Sequence, residues 1–115
     1  LGGADFMMIP SRYEPCGLIQ MSAMRYGCVP VARSTGGLKD TIIDYNAGPS
    51  STGFLFDQTN PEAMANALRR ALAVYSDRRR WPHLQKRGMR RDFSWDRSAM
   101  QYFKLYKSML RAAKK

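Results

Sequence analysis

The sequence predicts an α/β fold, parallel strands of a partial Rossmann-like unit followed by helices. Three observations carry that expectation. After Asp5 the pattern runs strand, loop, helix, strand within ~30 residues, the signature of a βαβ unit. Eight of the nine glycines and four of the six prolines lie before residue 61, so turns crowd the first half. From residue 61 onward apolar residues return at helical spacing behind recognisable N-caps. With 44% hydrophobic and 24% charged residues among 115, the chain is about one compact domain's worth of sequence and not a disordered basic tail.

Each element has its own justification. Asp5-Phe6-Met7-Met8-Ile9 is apolar without polar alternation and ends at Pro10, which reads as a buried parallel strand. Pro10 to Pro15 is a loop. Gly17 to Gly27 reads as a helix with Leu18, Met21, Ala23 and Met24 spaced for one buried stripe and Gly27 at its C-terminal end. Cys28 to Ala32 is a second strand, with Pro30 tolerable near its start. Thr35 to Asp40 reads as a tight turn around Gly36 and Gly37, Thr41 to Ile43 as a brief extended segment, and Ala47 to Thr52 as a mobile surface loop. Gly53 to Phe56 is a third short strand. Asn60 is placed to cap a helix, with Pro61 at its first position and Glu62 in its first turn. Met64, Leu68, Ala71 and Tyr75 then form its stripe. A further helix covers 78–90, broken or started by Pro82. Ser94 caps the last one, in which Trp95, Ala99, Tyr102, Tyr106 and Met109 step by four and three and are expected to bury one face.

The charge is lopsided. The formal total is +10, yet residues 1–60 carry four basic and five acidic residues, and residues 61–115 carry fifteen and four. That excess suggests a nucleic-acid or anionic-polymer module. The basic positions alternate with apolar ones at helical period, however, and no RNP aromatic motif, zinc-finger spacing or Gly-rich RNA loop is present, so solvated helix faces account for them. No nucleic-acid partner is expected. No apolar run approaches the ~20 residues that span a bilayer, so no membrane helix is expected. Two cysteines are too few for a disulfide scaffold. The chain starts at Leu1 and enters apolar sequence at once, with no signal-peptide pattern, and reads as the C-terminal part of a longer protein.

The chemistry concentrates at Ser11 to Leu18, between a buried strand and a helix. Ligands of open α/β sheets bind beyond the carboxyl ends of strands, against helix N-termini. Gly17 removes a side chain where the helix begins, so the backbone amides of Gly17, Leu18 and Ile19 can face a phosphate. Glu14, just before them, can accept hydrogen bonds from sugar hydroxyls. A thiolate at Cys16 would be activated at a helix N-terminus, but no histidine follows nearby, so a buried or steric role is expected for it. Cys28 reads as core, and His83, the single histidine, as a surface helix residue.

Ser11-Arg-Tyr-Glu-Pro-Cys-Gly-Leu-Ile-Gln20, Met24-Arg-Tyr-Gly27 and Ser34-Thr-Gly-Gly-Leu-Lys-Asp-Thr41 resemble the C-terminal region of bacterial glycogen synthases and plant starch synthases. Thr52-Gly-Phe54, Asp92-Phe-Ser-Trp95, Ser98, Ala99 and Tyr102 extend the resemblance over nearly the whole chain. The resemblance implies a GT-B glycosyltransferase, in which two Rossmann-like domains face a deep cleft. Residues 1–60 would be part of the nucleotide-sugar-binding domain, and 61–115 its C-terminal helices. It implies transfer of glucose from ADP-glucose to the nonreducing end of an α-1,4-glucan with retained anomeric configuration and no required metal or other cofactor. A cytoplasmic location is implied for a bacterial protein and a plastid for a plant one.

The resemblance also assigns roles. Glu14 matches a carboxylate near the donor glucose that is implicated in catalysis. Cys16 and Gly17 match positions whose backbone approaches the sugar hydroxyls, and Leu18 and Ile19 match the helix start that meets the donor phosphates. Arg12 and Gln20 support that loop, and Thr35, Gly36 and Gly37 form a turn near the cleft, with the glycines serving backbone geometry. Ile19 stands where some relatives carry Thr, so its contact would be through the backbone. Ser22 stands where related transferases carry a second Glu, as expected in the glycogen and starch synthase branch. The N-terminal domain, the acceptor site and the phosphate-binding Arg and Lys are expected upstream of Leu1, so the isolated chain is expected to be inactive. A transferase of the same fold with another nucleotide-sugar donor, UDP-glucose included, fits the same residues.

Overall fold

The apolar run after Asp5 forms strand β1, Phe6–Ile9, in a computed structural model that describes all 115 residues, Leu1–Lys115. The remaining elements are α1 (Ile19–Arg25), β2 (Val29–Arg33), α2 (Gly36–Thr41), a 3₁₀ turn (Tyr45–Ala47), β3 (Phe54–Phe56), α3 (Pro61–Tyr75), α4 (Arg80–Met89) and α5 (Trp95–Ala113). The strands form one parallel sheet in the order β1-β2-β3, with Phe6 opposite Val29 and Val31 opposite Phe54.

The central strand explains the layering. Every residue of β2 except Arg33 is buried, as a parallel strand covered on both faces must be. Val29 and Val31 point into a core shared with Phe54, Phe56, Ala67, Ala71, Val74, Trp81 and Leu84, so α3 and α4 cover that face. Ala32 joins Ile9, Met24, Leu38 and Ile42 in a second core beneath α1 and α2. The period-two alternation of β2 thus divides the helices between two faces.

Some expectations change in three dimensions. The helix expected from Gly17 begins at Ile19, because Gly17 sits at φ +70°, a left-handed backbone that cannot continue a right-handed turn. The expected tight turn at 35–40 and the extended segment at Thr41 are instead helix α2. The paired glycines argued against a helix by propensity, but burial of Leu38 outweighs that penalty. The composition of 47–52 suggested a mobile surface loop, yet Ser51 and Thr52 are buried. Thr52 Oγ1 accepts from Ile43 N at 3.0 Å, and the Arg87 guanidinium donates to the carbonyl and hydroxyl of Ser51.

The caps at α3 and α5 form as expected. Asn60 accepts from Ala63 N at 2.8 Å with Pro61 leading the helix, and Ser94 accepts from Arg97 N. The buried stripe of α3 is Ala67, Ala71 and Val74, rotated from the expected one, and Tyr75 is exposed. In α5 the expected buried face is not buried: Trp95, Tyr102, Tyr106 and Met109 are all exposed, and no residue of the helix is buried.

Asp44 ties β3 to α3. Its carboxylate accepts from Leu55 N at 2.7 Å and Asn46 N at 3.1 Å, and takes both oxygens to Arg70 Nη2 at 2.8 Å. Arg70 also donates to Leu55 O and lies 5.6 Å from the Phe54 ring centroid. Asp44→Ala would strip two backbone amides and a half-buried guanidinium of their partner together. The expected loss is about 2 kcal/mol of stability, read from urea unfolding beside the parent.

Candidate functional site

Two loops leave the carboxyl edge of the sheet and meet. One follows β1 and carries residues 10–18; the other follows β2 and opens into α2 at Gly36. They meet backbone to backbone, with Gly37 N donating to Glu14 O at 3.0 Å. A Cβ on Gly37 would lie 1.6 Å from Cys16 O, and one on Gly36 would lie 1.9 Å from Glu14 O. Gly36 also adopts φ +46°, in the region that other residues rarely enter. The paired glycines therefore let α2 abut the peptide planes that carry Glu14 and Cys16. Thr35 stands just before them in extended conformation, and its carbonyl accepts from Leu38 N at 3.0 Å.

Gln20 holds the same loop from beneath. It is fully buried, and its two amide N–H groups are shared among Cys16 O at 3.1 Å, Gly17 O at 2.9 Å and Thr41 Oγ1 at 3.1 Å. Thr41 in turn donates to Gly37 O at 2.6 Å. A chain of hydrogen bonds thus runs from the Glu14 loop through Gln20 and Thr41 to α2. The side-chain oxygen of Gln20 has no partner, and it occupies the space that a Cβ on Gly17 would need, 2.6 Å away.

On that support the loop presents its polar groups. Glu14 is half-buried, with Ser11 Oγ donating to its carboxylate at 3.3 Å. The amides of Gly17 and Leu18 donate to no acceptor in the chain. The side chains of Leu18 and Ile19 are exposed, so Leu18 leaves the expected buried stripe, which Gln20, Ala23 and Met24 form instead because α1 begins only after Leu18. Cys16 is exposed too, where the sequence allowed it to be buried, because the loop's inner space is taken by Gln20. Cys28 is buried, and burial pushes its thiol pKa up. His83 is an exposed residue of α4. No group of three His, Cys, Asp or Glu side chains is arranged to hold a metal ion.

Arg33, which the sequence did not single out, joins the two loops and the third strand. Its guanidinium donates to Arg12 O and, at 3.1 Å, to Asp57 O. Arg12 supports the loop through this carbonyl, while its side chain is exposed. Arg12 and Arg33 line a cavity of about 180 Å³ with Phe56, Asn60 and Met64. The available signal was a guanidinium at the carboxyl end of an otherwise apolar strand, two residues before the paired glycines. The arrangement offers a carboxylate, free backbone amides and two guanidiniums at one sheet edge, groups suited to hydroxyls and an anion.

The family described as Glycosyl transferases group 1 matches residues 1–86. Over 109 residues the chain is 54% identical to a glycogen synthase of Geotalea daltonii, and over 107 residues 52% identical to one of Anaeromyxobacter sp.. These alignments cover 94% and 93% of the chain but 22% of each relative. The solved catalytic domain of starch synthase IV from Arabidopsis thaliana, bound to ADP and acarbose, superposes with a TM-score of 0.81 at 43% identity, over 90% of this chain and 22% of that one. A sucrose-phosphate synthase of Thermosynechococcus elongatus superposes with a TM-score of 0.64 at 34% identity, over 95% and 26%.

Proposed function

This chain belongs to the Glycosyl transferases group 1 family, and from that premise we propose that it is the C-terminal part of a retaining glucosyltransferase that moves glucose from ADP-glucose to the nonreducing end of an α-1,4-glucan. The observation that carries the reading is the clamped Glu14 loop at the carboxyl edge of a parallel sheet, where open α/β folds bind ligands. The 54% identity to a glycogen synthase and the ADP bound in the Arabidopsis relative support the adenine-nucleotide donor.

In this reading residues 1–60 form the donor wall and 61–115 the helices behind it. The amides of Gly17, Leu18 and Ile19 face the donor diphosphate, Cys16 and Gly17 approach the glucose through their backbone, and Glu14 lies beside the glucose. Arg12, Gln20, Thr35, Gly36 and Gly37 hold that arrangement. Acceptor attack occurs on the face from which the diphosphate leaves, and the departing diphosphate takes the acceptor proton. The chain spans about a fifth of the relatives it matches. The acceptor wall is therefore assigned to an N-terminal domain of the same protein, and the phosphate-binding Arg and Lys to sequence upstream of Leu1. The apolar face of α5 docks on that domain. The bacterial relatives favour a bacterial cytoplasm, and a plant source would place the enzyme in plastids.

The likeness to a sucrose-phosphate synthase favours, as the second reading, the same fold with another donor. The test is transfer of labelled glucose to glycogen by the full-length protein, supplied with ADP-glucose or UDP-glucose. Faster incorporation from ADP-glucose is expected; preference for UDP-glucose overturns the donor assignment. The 115-residue chain alone is expected to transfer nothing, because one wall cannot orient both substrates. Measurable transfer by the chain alone would overturn that division of labour.

A further inference from the structure

A cleft of about 730 Å³ lies away from the paired loops, between α1 and the turn that joins α4 to α5. Its polar lining comes from Ser22, Arg25 and Tyr26 on one side and from Arg90, Arg91 and Ser94 on the other. Three arginines thus line one space. None forms an ion pair; the chain's two ion pairs are Asp44 with Arg70 and Asp77 with Arg80. The one carboxylate at the rim, Asp92, is already engaged, accepting from Ser94 N at 2.9 Å.

Arg91 is the most informative member. Its Nε is buried and has no hydrogen-bond partner, and its guanidinium lies 5.1 Å from the Phe93 ring centroid. Burial, and secondarily the charge of Arg97, hold it below its usual basicity. A buried, unpartnered donor beside further positive charges is costly, and an anion in the cleft would offset that charge. Arg25 is anchored at the same place, donating to Met89 O at 3.4 Å and keeping its other donors free. Met21, Met89 and Phe93 add an apolar wall. The volume falls in the range of small-molecule sites, roughly 300–1,000 Å³, and the planar fork of Arg matches phosphate oxygens two at a time.

We propose that this cleft is a second ligand site, binding a phosphate-bearing small molecule through Arg25, Arg90 and Arg91. The apolar wall covers the organic part of that molecule. The site shares α1 with the Glu14 loop but none of the loop's residues.

The test uses the full-length protein and inorganic pyrophosphate as the probe. Calorimetric titration is expected to show a binding component that weakens about tenfold in Arg91→Gln and disappears in the triple variant Arg25→Gln, Arg90→Gln, Arg91→Gln. That component weakens with added salt. A measurement without variants stands beside it: pyrophosphate is expected to shield Arg25 and Arg90 from phenylglyoxal, read by peptide mass spectrometry. AMP and ribose 5-phosphate serve as separate competitors. Tighter competition by AMP assigns the apolar wall to a nucleobase, and equal competition assigns it to the sugar. Arginine modification indifferent to pyrophosphate, or a titration unchanged by the triple substitution, overturns the proposal. Glucose transfer is not a readout, so failure of the donor reading leaves this test intact.

Discussion

Gly37→Ala is expected to unfold the junction of the two loops, costing about 3 kcal/mol or more, while Gly3→Ala leaves stability unchanged. The difference lies in what a methyl group would meet. At Gly3 nothing stands within 4 Å, whereas at Gly37 the Cβ would sit 1.6 Å from Cys16 O and 2.2 Å from its carbonyl carbon. Those are backbone atoms and cannot swing aside as a flexible side chain would, so either α2 or the Glu14 loop must move. Forced overpacking typically costs ~1–3 kcal/mol, and a rigid obstacle puts this case at the upper end or beyond. The movement also breaks the bond from Gly37 N to Glu14 O and the chain through Thr41 and Gln20. Urea unfolding of both variants reads the stability. In the full-length protein, transfer activity is expected to fall with Gly37→Ala even where the protein stays folded. Equal stability of the two variants would show that the close approach does not hold the site.

Glu14→Gln separates chemistry from folding. The substitution keeps the shape of the side chain and an oxygen to accept from Ser11 Oγ, so stability is expected to change by less than ~0.5 kcal/mol. It removes the one carboxylate of the loop. If that charge stabilises the positive character that develops at the sugar as the diphosphate leaves, transfer falls about a hundredfold or more. Binding of ADP is expected to stay near that of the parent, because the proposed phosphate contacts are backbone amides. Steady-state transfer assays and an ADP titration of the full-length variant read the two quantities. Undiminished transfer would remove Glu14 from the chemistry.

Much of the fold was legible because its signals are local. Asn60 with Pro61, and Ser94, announce helix starts through groups that satisfy their own first turns. The unbroken apolar runs at Phe6 and Val29 announce parallel strands. The Glu14 loop was legible as well, since a glycine between strand and helix frees amides at a sheet edge. Arg33 was not, because its partners Arg12 O and Asp57 O lie 21 and 24 residues away in sequence and are backbone atoms. Helix α2 was missed for a related reason. Glycine weakens a helix by propensity, and the close approach to Glu14 and Cys16 that calls for glycine there exists only after folding.

Sequence alone determined the parallel α/β character, the helix starts and the loop that carries Glu14, since each follows from periodicity or from groups adjacent along the chain. Tertiary structure decided which surfaces meet: the abutment of Gly36 and Gly37 on the Glu14 loop, the Arg33 tie, the exposure of Cys16 and the cleft lined by Arg25, Arg90 and Arg91. It also decided the state of α5. An amphipathic stripe records that a face is apolar, but not whether another surface lies against it, and here Trp95 is 86% exposed. Spacing along a chain encodes local geometry, whereas contacts between distant segments depend on how the whole chain packs.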